Sequence, residues 1–274
     1  MHVVTSPVGI LPNEQNLPLP MRTRRLAPSA ALRPYIHRYL IVEYTSGWAT
    51  TLLPGAGMVA AFRFKGECRI NDAKAPNALV TGIWDKTRTL IHAGRCANVL
   101  VMFTPTGAQA FLREPVEHLF NATLAMEHEV RCSELGLVEE QLFESAHDEE
   151  RVGVVEHFLR ERIKEPVMDS GVSEAVDRIR ISKGSLRIDR LAREAGLSQS
   201  ALERRFWRVV GTSPKKFAAL VRLRSVVRMR RAGASFTEIA HAAGYADQSH
   251  FIKDFKRFTG KAPDQFFQSA AAFC

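Results

Sequence analysis

The sequence predicts an α+β chain in two parts: an antiparallel β-sandwich or small barrel with flanking helices, then an all-α domain made of two helix-turn-helix units. Three observations predict it. Between about residues 35 and 103, short runs rich in Val, Ile, Phe, Tyr and Trp alternate with turn residues. Beyond residue 103 the apolar spacing changes to three and four, the period of a helix. The last hundred residues hold a weak internal repeat, each copy a short helix, a glycine turn and a second helix.

At 274 residues, 46% hydrophobic and 24% charged, the chain is long enough for two domains with proper cores. No apolar run approaches the ~18–20 residues that span a bilayer. The first residues show no basic stretch followed by an apolar one, so the expectation is a cytoplasmic protein with no membrane partner. Cys68, Cys96, Cys132 and Cys274 lie far apart with no Cys-x-x-Cys pair. That excludes a zinc ribbon or a thioredoxin-type motif, and no metal or other cofactor is expected.

The net charge of +9 is unevenly spread. Residues 175–274 hold 20 Lys+Arg against 8 Asp+Glu, a net +12, while residues 1–174 carry −3. A polyanion partner is therefore expected for the last hundred residues only.

Along the chain, residues 1–21 carry Pro7, Pro12, Pro18 and Pro20 with little periodicity. They predict a flexible arm, taken to end at residue 29. Strands are expected over 36–44, 48–53, 58–64, 68–71, 79–83, 87–92 and 98–103, separated by turn signals such as Ser46-Gly47, Pro54-Gly55, Lys65-Gly66 and Ala93-Gly94. Helices are expected over 107–113, 133–145, 149–164 and 172–181. In the third, Val152, Val155, Phe158, Leu159 and Ile163 have helical spacing, and Pro166 stops it. The resulting division is an arm over 1–29, a β-rich domain with trailing helices over 30–170, and a helical domain over 171–274.

In the repeat, Leu191-Ala192-Arg193-Glu194-Ala195-Gly196-Leu197-Ser198 corresponds to Ile239-Ala240-His241-Ala242-Ala243-Gly244-Tyr245-Ala246-Asp247. Gly196 and Gly244 suit a sharp turn at positive φ. Ser198 and Asp247 suit the caps of the second helices, and Ser235 with Glu238 matches a capping box. The second helices bury Leu202, Phe206 and Val209 in one copy and Phe251, Phe255 and Phe258 in the other. The units span 186–212 and 235–260. Between them a helix over 214–232 begins at Pro214, stops at Gly233 and carries Phe217, Leu220, Val221, Val226, Val227 and Met229 on its apolar side. Its 19 residues make a rod of ~28 Å, against the ~34 Å pitch of B-DNA. Such a rod holds two reading helices about one turn apart on one face of a duplex, which selects double-stranded DNA among polyanions.

These residues resemble the DNA-binding domain of the AraC/XylS family of bacterial transcription regulators. The matching signatures are Leu191-Ala192, Gly196-Leu197-Ser198, Leu202-x-Arg204-x-Phe206, Gly211-x-Ser213-Pro214, Ile239-Ala240, Gly244-Tyr245, Ser249-His250-Phe251 and Phe255-Lys256-Arg257-x-x-Gly260-Lys261-x-Pro263. They cover about 186–268. Residues 30–165 resemble an uncharacterised sensor-like domain found ahead of this unit, through Leu53-Pro54, Val80-Thr81-Gly82 and Phe103-x-Pro105-x-Gly107-Ala108. The resemblance implies a cupin-like β-domain and names no ligand. The function it implies is a sequence-specific transcription regulator modulated by a small-molecule effector, with RNA polymerase and a second copy of the chain as further candidate partners.

A helical wheel at about 100° per residue selects the DNA-facing side independently. It points to Ser200, Arg204 and Trp207, with Glu203 and Arg208 on the shoulders, and to Ser249, Lys253 and Lys256, with Ile252 and Arg257 on the shoulders. The family resemblance implies base reading at Ser200, Glu203, Arg204, Gln248, Ser249 and Lys253. Arg204 is the first choice, because a guanidinium bonds guanine O6 and N7 together. Arg208, Lys215, Lys216, Lys256 and Arg257 suit phosphates. Trp207 stands where the family usually has a basic residue and is expected to pack, with the linking helix as its partner. Trp48, Arg63, Trp84 and Phe103 are the candidate effector-pocket residues.

Two alternatives stay open. One is an architectural DNA binder without an effector. The other is an enzyme, since similar barrels include metal enzymes and this DNA-binding unit also occurs fused to alkyl-transfer repair domains. That chemistry needs Pro-Cys-His, and Gly94-Arg95-Cys96-Ala97 lacks it. His37 and His92 also lie outside any two-His-one-carboxylate spacing.

Overall fold

The computed structural model describes residues 21–164, 169–231, 233–245 and 247–271. Residues 1–20, the greater part of the expected arm, lie outside them, as does Pro166. Residues 21–26, also assigned to the arm, form strand β1 (Met21–Leu26), paired with β2 (Ile36–Tyr44) from Met21 opposite Tyr44 to Leu26 opposite Tyr39. In its MRTRRL sequence the first five residues alternate half-buried and exposed positions, and its arginines have partners. Arg22 bonds Asp148 at 2.8 Å, and Arg24 bonds Glu149.

The remaining strands are β3 (Trp48–Leu52), β4 (Val59–Lys65), β5 (Cys68–Ile70), β6 (Ala73–Lys74), β7 (Ala78–Thr81), β8 (Arg88–His92), β9 (Cys96–Phe103) and β10 (Thr123–Ala125). They form a six-stranded sheet, ordered β1-β2-β9-β4-β7-β10, and a four-stranded sheet, ordered β3-β8-β5-β6, antiparallel throughout. The sandwich reading holds. Among the described residues the sheets do not close into one barrel, since β1 and β10 are the edges of the larger one.

Strand alternation sorts the six-stranded sheet into two faces. Tyr39, Ile41, Ala60, Phe62, Val80, Val99 and Val101 join a large core shared with the helices. Leu40, Val42, Tyr44, Leu79 and Cys96 join a second core with Trp48 and Cys68 of the smaller sheet.

Helices α1 (Cys132–Glu144) and α2 (Asp148–Arg160) cover the first face through Leu135, Val138, Leu142, Val155, Phe158 and Leu159. The helix expected over 107–113 is a 3-10 turn, Ala108–Ala110. A Cβ on Gly107 would stand 2.0 Å from the Tyr35 carbonyl oxygen, so the chain is pinned there. The amides of Arg113 and Glu114 are then taken by the buried Glu129 carboxylate, at 2.5 and 3.0 Å, instead of an i→i+4 ladder.

The C-terminal part is helical: α3 (Ser170–Ile181), α4 (Ile188–Glu194), α5 (Gln199–Val210), α6 (Pro214–Arg231), α7 (Phe236–Ala242), α8 (Gln248–Thr259) and α9 (Pro263–Ala271). Asp169 caps α3 by accepting from the Val172 amide at 3.0 Å, and its two oxygens take the Arg205 fork of α5, both at 2.7 Å. Burial alone would raise this carboxyl, but the Arg205 bonds outweigh it and hold it below the usual range.

Candidate nucleic-acid interface

Each helix-turn-helix unit forms for the local reasons read from its sequence. Gly196 and Gly244 turn at φ 65° and 70°, where a Cβ is strained. Ser198 Oγ accepts from the Ala201 amide at 3.2 Å, and Asp247 Oδ1 from the His250 amide at 2.7 Å. Ser235 and Glu238 form a reciprocal capping box on α7, which lowers the Glu238 pKa. Helix α5 buries Leu202, Phe206, Val209 and Val210, and α8 buries Phe251, Phe255, Phe258 and Thr259. Both end at a left-handed glycine, Gly211 and Gly260. Between them α6 starts at Pro214 and buries Phe217, Leu220, Leu223, Val226 and Val227, while Val221 and Met229 are half-buried.

This packing leaves two polar faces toward solvent. On α5, Ser200 and Arg204 are exposed, and Glu203 is half-buried, accepting from Gln199 Nε2 at 3.1 Å. On α8, Gln248, Ser249 and Lys253 are exposed. Arg208, Lys215, Lys256 and Arg257 are exposed beside them. Arg257 pairs with Asp254 at 2.9 Å and lies over the Phe258 ring. His250 packs edge-on against Tyr245.

The C-terminal end of α5 is docked on the β-domain. Trp207 packs, as expected, but against Phe120, edge to face at 5.6 Å between centroids. The Phe120 segment follows the 3-10 turn Val116–Leu119, which lies against α5. A Cβ on Gly211 would stand 2.6 Å from the Val116 carbonyl oxygen. Lys216 reaches back to Asp85 at 2.8 Å and lies 4.4 Å from the Phe120 ring centroid. Burial opposes ionisation of Asp85, but Lys216 and Asn121 outweigh it and keep its pKa below the usual value. Phe120 and Asp85 went unnoticed in the sequence, where no local pattern links them to α5.

The four candidate effector residues separate. Trp48 and Arg63 both lie in the layer between the sheets, buried. Phe103 belongs to the large core on the other face. Trp84 bridges to Gly55 with Arg88 over its ring. Among the described residues, no three His, Cys, Asp or Glu side chains are grouped to hold a metal ion, and no helix is long and apolar enough to cross a membrane.

Comparison with known proteins agrees with the geometry. A helix-turn-helix domain family matches residues 191–269, and a domain of unknown function (DUF6597) matches residues 24–125. An uncharacterized HTH-type transcriptional regulator of Haemophilus influenzae is 27% identical over 126 residues, 42% of each chain. The Msm operon regulatory protein of Streptococcus mutans is 34% identical over 83 residues, 30% of each. The HTH-type transcriptional regulator MtrA of Neisseria gonorrhoeae is 34% identical over 80 residues, 29% of this chain and 27% of that one. The chain thus spans less than half the length of each of these relatives. Among solved structures, ToxT from Vibrio cholerae superposes with a TM-score of 0.48 at 10% identity, over 91% of this chain and 98% of that one. An AraC-type DNA-binding-domain protein from Chromobacterium violaceum gives 0.33 at 26% identity, over 37% and 92%. Residues 191–269 thus form a helix-turn-helix domain where the sequence resembles the AraC type, preceded over 24–125 by a domain of a family of unknown function.

Proposed function

We propose that the chain is a sequence-specific DNA-binding transcription regulator whose helices α5 and α8 enter adjacent major grooves on one face of a duplex. The observation that carries this reading is the pair of bare polar faces beginning at the N-terminal ends of two repeated, similarly capped helices. Reading helices of helix-turn-helix proteins touch base edges with their N-terminal residues. The 18 residues of α6 make a connecting rod of ~27 Å, suited to grooves one turn apart.

In this reading Ser200, Glu203 and Arg204, and Gln248, Ser249 and Lys253, meet base edges. Arg204 pairs with a guanine, and Glu203 accepts from a cytosine amino group. Arg208, Lys215, Lys216, Lys256 and Arg257 grip phosphates. Lys216 exchanges Asp85 for a phosphate, which ties DNA binding to the docking of the β-domain. A small-molecule effector on that domain then regulates by favouring one docking state over another. RNA polymerase and a second copy of the chain are further partners, and the exposed Leu137 and Phe143 of α1 offer a surface for the second copy. The chain acts in the cytoplasm as a binding protein, not an enzyme.

The test is retention of labelled genomic fragments by the full chain under unlabelled competitor. Enrichment of a few fragments that share a two-block sequence supports the reading. Equal retention of all fragments would leave an architectural binder in its place.

A further inference from the structure

Helices α5 and α8 agree at most positions of the arc assigned to DNA and disagree at two. Counted from their caps, Ser198 and Asp247, both open with Gln-Ser and carry a cation at the sixth position, Arg204 and Lys253. One disagreement, at the ninth position, has its reason in the fold: Trp207 packs on Phe120 of the β-domain, where α8 has the exposed Lys256. The other is at the fifth position, where α5 has Glu203 and α8 has Ile252.

Ile252 lies outside the buried stripe of α8. Phe251, Phe255 and Phe258 fill that stripe, while Ile252 is half-buried on the shoulder of the helix, touching the core without entering it. One turn away on either side are Gln248 and Lys256, and Ser249 and Lys253 lie beside it, all four exposed. The fifth position also decides what the first one can do. In α5, Gln199 Nε2 donates to Glu203 Oε1 at 3.1 Å, which commits one amide hydrogen. In α8 no acceptor stands at that place, and Gln248 has no hydrogen bond among the described residues. Its whole carboxamide stays free to pair with adenine N7 and N6 together.

An isoleucine side chain offers no donor or acceptor, and the one apolar group on the base edges of the major groove is the thymine 5-methyl. Thymine and cytosine differ there at two points. Thymine carries the methyl and the O4 acceptor, whereas cytosine carries an amino donor and no methyl. A carboxylate at the fifth position therefore selects cytosine and is repelled by O4. An isoleucine selects thymine, because the contact removes both apolar surfaces from water. Its β-branched side chain is stiff, so little rotamer freedom is lost in making that contact. We infer that Ile252 is a specificity-determining residue that reads a thymine 5-methyl group, at the step of its block where Glu203 reads a cytosine in the other. The two blocks of the site then differ by C against T, although their helices are alike in frame. This inference rests on the regulatory reading, with α5 and α8 in major grooves, and adds the base that distinguishes the α8 block.

The test uses the full chain and the duplex it selects from a random library, the α8 block being the one that Lys253→Ala relaxes. Each thymine of that block is replaced in turn by deoxyuridine, which removes the 5-methyl and keeps the base pair. At one thymine the parent is expected to bind about fourfold more weakly, the worth of one buried methyl-sized group. Ile252→Ala is expected to bind the thymine and deoxyuridine duplexes equally. Ile252→Glu is expected to prefer cytosine to thymine at that step, and Glu203→Ile to prefer thymine to cytosine at the equivalent step of the other block. If Ile252→Glu does not fold, the deoxyuridine series in the parent and in Ile252→Ala carries the test. The inference is overturned if no deoxyuridine weakens the parent, or if Ile252→Ala keeps the parent's ratio of thymine to deoxyuridine binding, as for an isoleucine that only packs. It is overturned as well if either swapped variant folds and keeps the parent's base. A selected motif without a methyl-sensitive thymine sinks this inference alone, whereas a parent chain that selects no DNA sequence sinks the regulatory reading with it.

Discussion

Arg204 and Lys253 occupy equivalent positions on α5 and α8, each an exposed cation six residues after the helix cap, at Ser198 and Asp247. Arg204→Ala should cost specific binding about 1–3 kcal/mol and relax preference at one base position. A selection profile identical to the parent's would reject base reading at Arg204. Both side chains were legible from the wheel alone, because amphipathic periodicity determines which arc of a helix stays bare. Trp207 shows where that reasoning stops. The wheel put it on the same open arc, and its partner Phe120 comes from another domain that no helical wheel includes. Buried His92 carries a pH signature of its own. Its pKa falls from 6.5 in the unfolded chain to about 4 in the fold, so below pH 6.5 the unfolded chain takes up a proton that the folded one refuses. Stability should therefore decline as pH drops from about 6.5 to 4, by on the order of 3 kcal/mol from this residue, and level off below. Denaturant titrations of His92→Gln across that range should show a shallower decline, and an unchanged slope would contradict the buried neutral imidazole.

The elements follow from local chemistry wherever the signal is local. The sequence predicts β2 with the ends the structure has, because a run carrying the β-branched and aromatic residues Ile36, Tyr39, Ile41, Val42 and Tyr44 lies between turns. Strands β1, β6 and β10 escaped it. They are polar or only two or three residues long, and their pairing is set by the neighbour strand and not by their own pattern. Gly82 and Gly107, which the sequence offered only within the motifs of the sensor-like domain, have a steric reason in the structure. A Cβ at either would fall about one bond length too close to a carbonyl oxygen, 1.9 Å from Leu119 O and 2.0 Å from Tyr35 O. Gly107→Ala should accordingly destabilise the β-domain by about 2–3 kcal/mol, in the range of overpacked sites. A midpoint within experimental error of the parent would show that the backbone yields. On α7, Ser235→Ala removes the hydroxyl half of the capping box, leaving the backbone amide of residue 235 on Glu238, and should cost about 1 kcal/mol, read from the C-terminal domain's unfolding.

At the scale of the whole molecule, the charge split and the repeat were plain in the sequence, while the contact between the halves was not. That contact unites Asp85, Phe120, Trp207 and Lys216, residues far apart in sequence with no shared period. It also links the β-domain to a cation proposed to hold a phosphate. Asp85→Ala should release Lys216, strengthen DNA binding for all sequences and steepen the dependence of log K on log salt by up to about one phosphate. Lys216→Ala should do the reverse, and equal salt slopes in all three proteins would break the link. The pairing of Trp48 with Arg63 in one buried layer, and the exclusion of Phe103 and Trp84 from it, depended on strand order, which composition does not encode.

The central claim is that two reading helices select DNA together. It is tested most directly by selecting bound duplexes from a random library with the full chain, Arg204→Ala and Lys253→Ala in parallel. The account predicts a parent motif of two short blocks centred about 10 base pairs apart, with each variant relaxing a different block. A single block, or one motif altered identically by both variants, would contradict it.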